Sequence, residues 1–452
     1  MPKEPVLGPK SRKVIALAKK YCAPTTQDFS FVPSGIAEGC WVWSIDGEKC
    51  FDSSSGPGVF NIGHNHPKLV EAMRDVMPGF GANEYANPWF SKLSKKLCEI
   101  TPGSFEKVVF PCSSGGEAVE AAIRAVELLA PTRPYFIHFE KAFHGRPKGA
   151  RTLTNRLHAN RGSRPAFPTI LLPFPELGTD SKNFMTDVKS RLRNHNANKI
   201  SAVIWEPIQG EGGIRPTDPR CWKKFLKEII YPNAIVLIAD EVQTGFGRTG
   251  KMFACEYYGV EPDIICLAKG IANGEHLGVI VMNKKVCWPE GGLYSNTWGG
   301  DPRSVKSALV AIDIIEKEKL AKNAEEMGEI FHNSFTRNIL KFLPRDYIAE
   351  GILWDNYSSD SRRFDRVTWG KIVVDFGGIG LMRRIQFEDK NDNPLPELRN
   401  RVREEARRRH ILLLSCGDSA IRVMPPLVVS EEEIKWLAKE LAESVATAVK
   451  NF

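Results

Sequence analysis

Ala234-Ile235-Val236-Leu237-Ile238-Ala239 runs without a polar residue and stops at Asp240; Ile264-Ile265-Cys266-Leu267-Ala268 does the same and stops at Lys269. A third run, Ser201 to Trp205, stops at Glu206. Short apolar runs with abrupt polar ends are what strands covered on both faces look like. Between such runs the chain turns helical: after Ser113-Ser114-Gly115-Gly116, residues Glu117 to Leu129 place Val119, Ala122, Ile123 and Val126 on one face. Strands alternating with helices predict an α/β protein with a mainly parallel sheet, whose ligands gather beyond the carboxyl ends of the strands. Glu206, Asp240 and Lys269 all fall at such ends.

Outside this region the patterning is less regular, with long irregular stretches such as Leu353 to Trp369, which reads best as a variable surface loop and otherwise as a lid or an oligomer contact. Both chain ends are therefore assigned to a small domain, 1–70 with 325–452, around a large domain of 71–324. Near the end, Ser430 to Asn451 reads as an amphipathic helix capped by Ser430.

Composition narrows the class. The chain has 452 residues, 42% apolar and 26% charged, which excludes collagen-like, low-complexity and disordered sequences. No apolar run approaches the roughly 20 residues of a membrane span. Met1 to Lys20 lacks the apolar core of a signal peptide, which predicts a cytoplasmic chain. Lys and Arg exceed Asp and Glu by 62 to 54, a net +8 that is spread thinly and suits anionic ligands. The densest cluster, Arg399 to Arg409, is interleaved with Glu404 and Glu405 and reads as a solvated helix face rather than a nucleic-acid surface. None of the ten cysteines pairs at C-x-x-C spacing, so they read as reduced thiols, mostly filling the core. His64-Asn65-His66 has no third ligand nearby, and no metal is expected.

Gly245-Phe246-Gly247-Arg248-Thr249-Gly250-Lys251 imitates two phosphate loops and fits neither. Met252 stands where a P-loop needs Ser or Thr for magnesium, and five residues separate the strand from the first glycine. A dinucleotide site expects an acid at the end of the next strand, which instead ends in Lys269. A different constellation remains: Asp240 and Lys269 at strand ends, and a glycine-rich turn entering a helix at Ser113 to Glu117. Pyridoxal phosphate chemistry uses those three parts. A desolvated lysine forms a Schiff base with an aldehyde, a carboxylate keeps the pyridine nitrogen protonated, and a helix start receives a phosphate. Read alone, Asp240 as a cap and Lys269 as a snorkelling surface residue are an equal alternative.

Further pieces carry a family resemblance from about Gly35 to Val445. They are Asp52 followed by Gly58-Val59-Phe60-Asn61-Ile62-Gly63-His64-Asn65-His66-Pro67; Ser114-Gly115-Gly116-Glu117-Ala118; Phe143-His144-Gly145-Arg146; Glu206-Pro207-Ile208-Gln209-Gly210-Glu211-Gly212-Gly213; Asp240 to Gly250; Leu267-Ala268-Lys269-Gly270; and Thr297-Trp298-Gly299-Gly300-Asp301-Pro302. In order and spacing the chain resembles the class III, omega-amino acid (4-aminobutyrate/ornithine-like) aminotransferases. That likeness implies a fold-type I pyridoxal phosphate enzyme: a large domain with a seven-stranded, mainly parallel sheet flanked by helices, and a small α+β domain from both chain ends.

By position, the resemblance makes Lys269 the Schiff-base and proton-shuttling lysine and pairs Asp240 with the pyridine nitrogen. Gln243 goes to the ring hydroxyl, and Val242 and Phe143 to the ring faces. Ser114, Gly115 and Gly116 fall at the phosphate, and Thr297 reaches the phosphate of a neighbouring subunit, which requires a homodimer with shared sites. His144 and Glu206 complete the cofactor set. Arg146 would hold a distal carboxylate; Arg422 would hold an alpha-carboxylate and be masked by Glu211 when an omega-amine is bound. A structural ion pair is the plain alternative for either arginine.

The sequence also departs from the family. Gly116 replaces a usual threonine, Asn273 to Gly278 differs from the common glycine and proline pattern, Asp301 stands for asparagine, Pro57 borders the expected substrate pocket, and Arg383-Arg384 replace apolar residues. The implied reaction moves an amino group from an amino acid or omega-amino acid, of 4-aminobutyrate, ornithine or lysine type, to a 2-oxo acid, with 2-oxoglutarate the expected acceptor. The family also holds racemases and epimerases, which the motifs do not separate from transaminases. A non-catalytic binding or regulatory member is the further alternative. Small-molecule substrates are expected, with no nucleic acid and no membrane partner; dimer against tetramer stays open.

Overall fold

A computed structural model describes residues 7–23, 29–74, 76, 86–156, 160–342, 348–350 and 363–452. The chain divides into two compact units, Lys68–Lys322 and Met1–Pro67 with Asn323–Phe452.

The first unit is built on a seven-stranded sheet. Its strands are β1 (Lys107–Cys112), β2 (Tyr135–Phe139), β3 (Thr169–Leu172), β4 (Ile200–Trp205), β5 (Val236–Asp240), β6 (Ile264–Leu267) and β7 (Gly278–Asn283). They lie in the order β1-β7-β6-β5-β4-β2-β3. Only β7 runs against its neighbours. Every residue of β4, β5 and β6 is buried, which is why their sequences are almost wholly apolar, Ser201 and the terminal Asp240 apart. Helix α1 (Gly115–Leu129) lays Ala118, Val119, Ala122, Ile123 and Val126 against Ile238, Ile264, Cys266 and Ile280 of the sheet. Burying each of the larger of these side chains contributes roughly 1.5–3 kcal/mol.

Register sets the site. Ala239 pairs with Trp205 and Asp240 with Cys266, so Glu206 and Asp240 leave adjacent strands side by side, with Lys269 three residues past Cys266. Because β7 is antiparallel, its first residue, Gly278, meets the last residue of β1, Cys112. A Cβ at Gly278 would fall 2.2 Å from Ser114 O. Glycine there lets the turn into α1 close over the sheet edge.

The second unit joins a four-stranded sheet, in which Ile411–Leu412 pairs parallel with Lys49–Asp52, to a six-stranded antiparallel one. Helices Pro396–Arg408 and Glu431–Lys450 belong to it. Ser430 caps the latter in a capping box with Glu433. The irregular reading of Leu353 to Trp369 is corrected in part: Arg363–Trp369 is a strand paired antiparallel with Ile372–Ile379. Residues 353–362 lie outside the described residues. The strand was hidden because its polar Asp365 points inward, where it accepts from His332 Nε2 at 2.8 Å.

Arg383 and Arg384 also find a physical account. Arg383 is buried, with Nε donating to Gly380 O at 2.9 Å and Nη1 facing His332 Nδ1 at 3.4 Å. Arg384 donates to Asp375 Oδ1 at 3.0 Å and stacks over Phe364. The solvated reading of Arg399 to Arg409 fails at Arg407, which is buried and forked onto Glu48. Asp301 caps helix Pro302–Lys317, accepting from Arg303 N and Ser304 N.

None of the ten cysteines is in a disulfide, and seven of them are buried. Among the described residues no helix is long and apolar enough to cross a membrane.

Candidate active site

Asp240, the last residue of β5, is buried. Its Oδ2 accepts from His144 Nδ1 at 2.8 Å and its Oδ1 from Val242 N at 3.1 Å. A carboxylate can only accept, so the imidazole proton sits on Nδ1. His144 Nε2 is buried and has no hydrogen-bond partner among the described residues. Glu206, at the end of β4, takes Phe143 N on Oε1 at 2.9 Å and Gly210 N on Oε2 at 3.0 Å. Burial pushes its carboxyl up to about 7, with the nearby Asp240 adding to the rise and His144 opposing it.

The other parts converge on the same strand ends. Gly115 meets Val242 and Ala268: a Cβ there would lie 2.7 Å from Val242 Cγ1 and 3.3 Å from Ala268 Cβ. The helix start, Val242 two residues past Asp240, and Ala268 just before Lys269 therefore form one wall. Lys269 is half-buried and has φ +49°, a left-handed conformation that costs a non-glycine residue roughly 1–2 kcal/mol and marks a constrained position. Gln243 packs against Gly210, where a Cβ would strike its Oε1. Ser114 caps α1, its Oγ accepting from Glu117 N at 3.3 Å, while Glu117 returns to Ser113 N at 2.7 Å.

Phe143 is half-buried, and the exposed Arg146 guanidinium lies 5.4 Å from its ring centroid. Glu211 follows Gly210 and is half-buried. Thr297 is exposed beside Trp298, itself 71% exposed. Arg422 lies in the other unit, buried on strand Ala420–Val423, with Nη2 donating to Ser415 O at 2.8 Å. The roles of Glu211 and Arg422 rest on the resemblance.

Sequence reasoning missed several supports. Thr154 Oγ1 accepts His144 N at 2.9 Å and so fixes the backbone of the Phe143–Arg146 segment. Glu241 is buried and takes Ala254 N and Cys255 N, at 3.1 and 2.6 Å, folding the glycine-rich loop back. An acid directly after Asp240 was the only local signal.

The profile of class III aminotransferases matches residues 22–341, well over half the chain. The chain belongs to the class III aminotransferases. Acetylornithine aminotransferase of Synechocystis sp. is 30% identical, over 92% of this chain and 90% of that protein. Alanine/serine racemase of Pyrococcus horikoshii is 29% identical, over 98% of this chain and 91% of that protein. Ornithine aminotransferase of Toxoplasma gondii, crystallised with partial occupancy of PLP at its active site, shares the fold with a TM-score of 0.79 at 21% identity, over 97% of this chain and 95% of that one.

This class III aminotransferase is an enzyme whose cofactor is pyridoxal phosphate. The residues present fit that group. The donor set offers an amine at Lys269 and a carboxylate at Asp240, Gly115 and Gly116 leave side-chain-free backbone at a helix start, and His144 presents an unpartnered buried nitrogen among the described residues.

Proposed function

We propose that this aminotransferase takes its amino group from an amino acid or omega-amino acid of ornithine, 4-aminobutyrate or lysine type and delivers it to a 2-oxo acid, 2-oxoglutarate first among them. The observation that carries the donor class is Arg146, an exposed guanidinium held beside Phe143 and suited to a distal carboxylate. Bound at the strand ends, pyridoxal phosphate supplies an electron sink for the bonds at the substrate alpha carbon. Lys269 would hold the cofactor through its Nζ amine and would carry the proton at the substrate alpha carbon. Asp240, oriented by His144 and Val242 N, would hold positive charge at the pyridine nitrogen. Gln243 would take the ring hydroxyl, Val242 and Phe143 would exclude water from the ring faces, and the N–H groups at Gly115 and Gly116 would bind the phosphate. The exposed Thr297 and Trp298 support a homodimer in which Thr297 serves the neighbouring site, and ten cysteines without a disulfide support a reducing, cytoplasmic setting.

Racemisation is the second reading, favoured by the likeness to alanine/serine racemase at nearly the same identity. The visible spectrum of purified protein separates the two. Single donors with no oxo acid should bleach the band of the lysine-bound cofactor if amino transfer is the reaction. A band that persists while an L-amino acid loses optical activity overturns amino transfer in favour of racemisation.

A further inference from the structure

Gly116 is the second residue of α1, and a Cβ there would lie 2.9 Å from Cδ and 3.1 Å from Cγ of Pro147, with Arg146 N next at 4.0 Å. A pyrrolidine ring cannot swing aside like the end of a flexible chain. Gly145 closes the gap from another side: it has φ +134°, and its own Cβ would stand 3.0 Å from Gly116 Cα. One turn along α1, Glu120 Oε1 accepts Ala150 N at 3.0 Å, and a Cβ on Gly149 would fall 2.5 Å from Glu120 Oε2. The start of α1 thus meets the segment Gly145 to Ala150 at Gly145, at Pro147 and at Gly149–Ala150. That segment continues directly from Phe143 and includes Arg146.

We infer that Pro147 is a positioning residue for the cofactor phosphate, its ring filling the volume into which position 116 would project a side chain. Position 116 is thereby left with only its backbone N–H to offer the cradle, and the Phe143–Arg146 segment is held in fixed contact with it. The ring and a Cβ at 116 compete for one volume, which accounts for glycine where the family resemblance leads to threonine. The inference rests on the proposed placement of the phosphate at Gly115 and Gly116. With Cδ and Cγ of Pro147 removed, the nearest heavy atom to a Cβ at 116 is Arg146 N at 4.0 Å, an ordinary contact. The two positions are therefore coupled in a way that a paired substitution reads directly.

The test sets Gly116→Ala and Gly116→Thr each in the Pro147 and Pro147→Ala backgrounds of the full chain, titrated with pyridoxal phosphate and with pyridoxal, and followed by thermal unfolding. With Pro147 in place, Gly116→Ala should weaken pyridoxal phosphate about tenfold or more; with Pro147→Ala, less than about threefold. Pyridoxal, lacking the phosphate, should change little in either background. Gly116→Thr with Pro147→Ala should bind pyridoxal phosphate at least as tightly as the parent. If Gly116→Ala unfolds beside Pro147, recovery beside Pro147→Ala supports the coupling, and unfolding in both backgrounds overturns it. Equal losses in both backgrounds overturn the role of Pro147. Equal losses for the two ligands, with the coupling intact, overturn instead the phosphate placement beneath it.

Discussion

His144 Nδ1 stands 2.8 Å from Asp240 Oδ2, with both side chains buried, and Val242 N holds the other carboxylate oxygen. Asp240 is thereby fixed in rotation before any ring arrives. Substituting His144→Ala removes one of these two restraints. Turnover should fall roughly tenfold to a hundredfold with KM changed less, whereas Asp240→Ala should cost about a hundredfold or more and weaken cofactor binding as well. Steady-state kinetics decide this, and a full rate in the His144 variant would show that the carboxylate needs no such brace.

Lys269→Ala should lose the visible band of the lysine-bound cofactor and all measurable turnover while the chain stays folded. Absorbance and circular dichroism on one sample check both halves. Retained activity would remove Lys269 from the chemistry.

Glu206 gives a pH dependence with a definite sign. Its carboxyl is raised from 4.5 to about 7 in the folded chain, so between those values the folded state keeps a proton the unfolded state has released. Stability therefore falls as pH rises through that window and levels off above it, by roughly 3 kcal/mol for a shift of this size. Glu206→Gln should flatten that part of the curve in urea unfolding of the cofactor-free chain. An unchanged slope would place the carboxyl in a wetter setting than the fold indicates.

Gly278→Ala drives a Cβ into Ser114 O, at 2.2 Å, where only backbone can yield. We expect a loss of about 1–3 kcal/mol in stability and weaker phosphate binding, because Ser114 caps the helix at the proposed cradle. Thermal unfolding and cofactor titration should move together; movement in the first alone would separate Gly278 from the cradle.

Asp365→Ala strips the carboxylate from buried His332 while Arg383 stays beside the same ring. Removing one member of a buried charged group costs about 3–5 kcal/mol. Denaturant unfolding should show that loss. A change below about 1 kcal/mol would mean that water reaches this group.

Much of this architecture is readable in the chain because the relevant signals are local. β4, β5 and β6 are covered on both faces, so almost wholly apolar runs and their polar stops mark the strands and the strand-end residues together. Ser430 and Glu433 lie within one helical turn and announce their own cap. What escaped is long-range. Asp365 looks like a loop residue until His332 arrives from helix Leu320–Leu340, and Arg407 looks solvated until Glu48 arrives from the far end of the chain. The tight fit of Gly116 against Pro147 is equally silent, since neither residue carries a polar group that asks for a partner.

The second unit is closed by segments from opposite ends of the polypeptide: Ser53 Oγ donates to Leu412 O across 359 residues, and Ile411–Leu412 completes the sheet begun by Trp41–Ser44 and Lys49–Asp52. During synthesis those first strands leave the ribosome with one edge open. At about 5–20 residues per second the missing strand follows roughly 20 to 70 s later. Over that interval any pairing of these strands leaves an exposed β edge beside Trp41 and Phe51, a template for pairing with other chains. Yield in a producing cell should therefore depend on translation speed and chaperone supply more steeply than the finished molecule's stability would suggest.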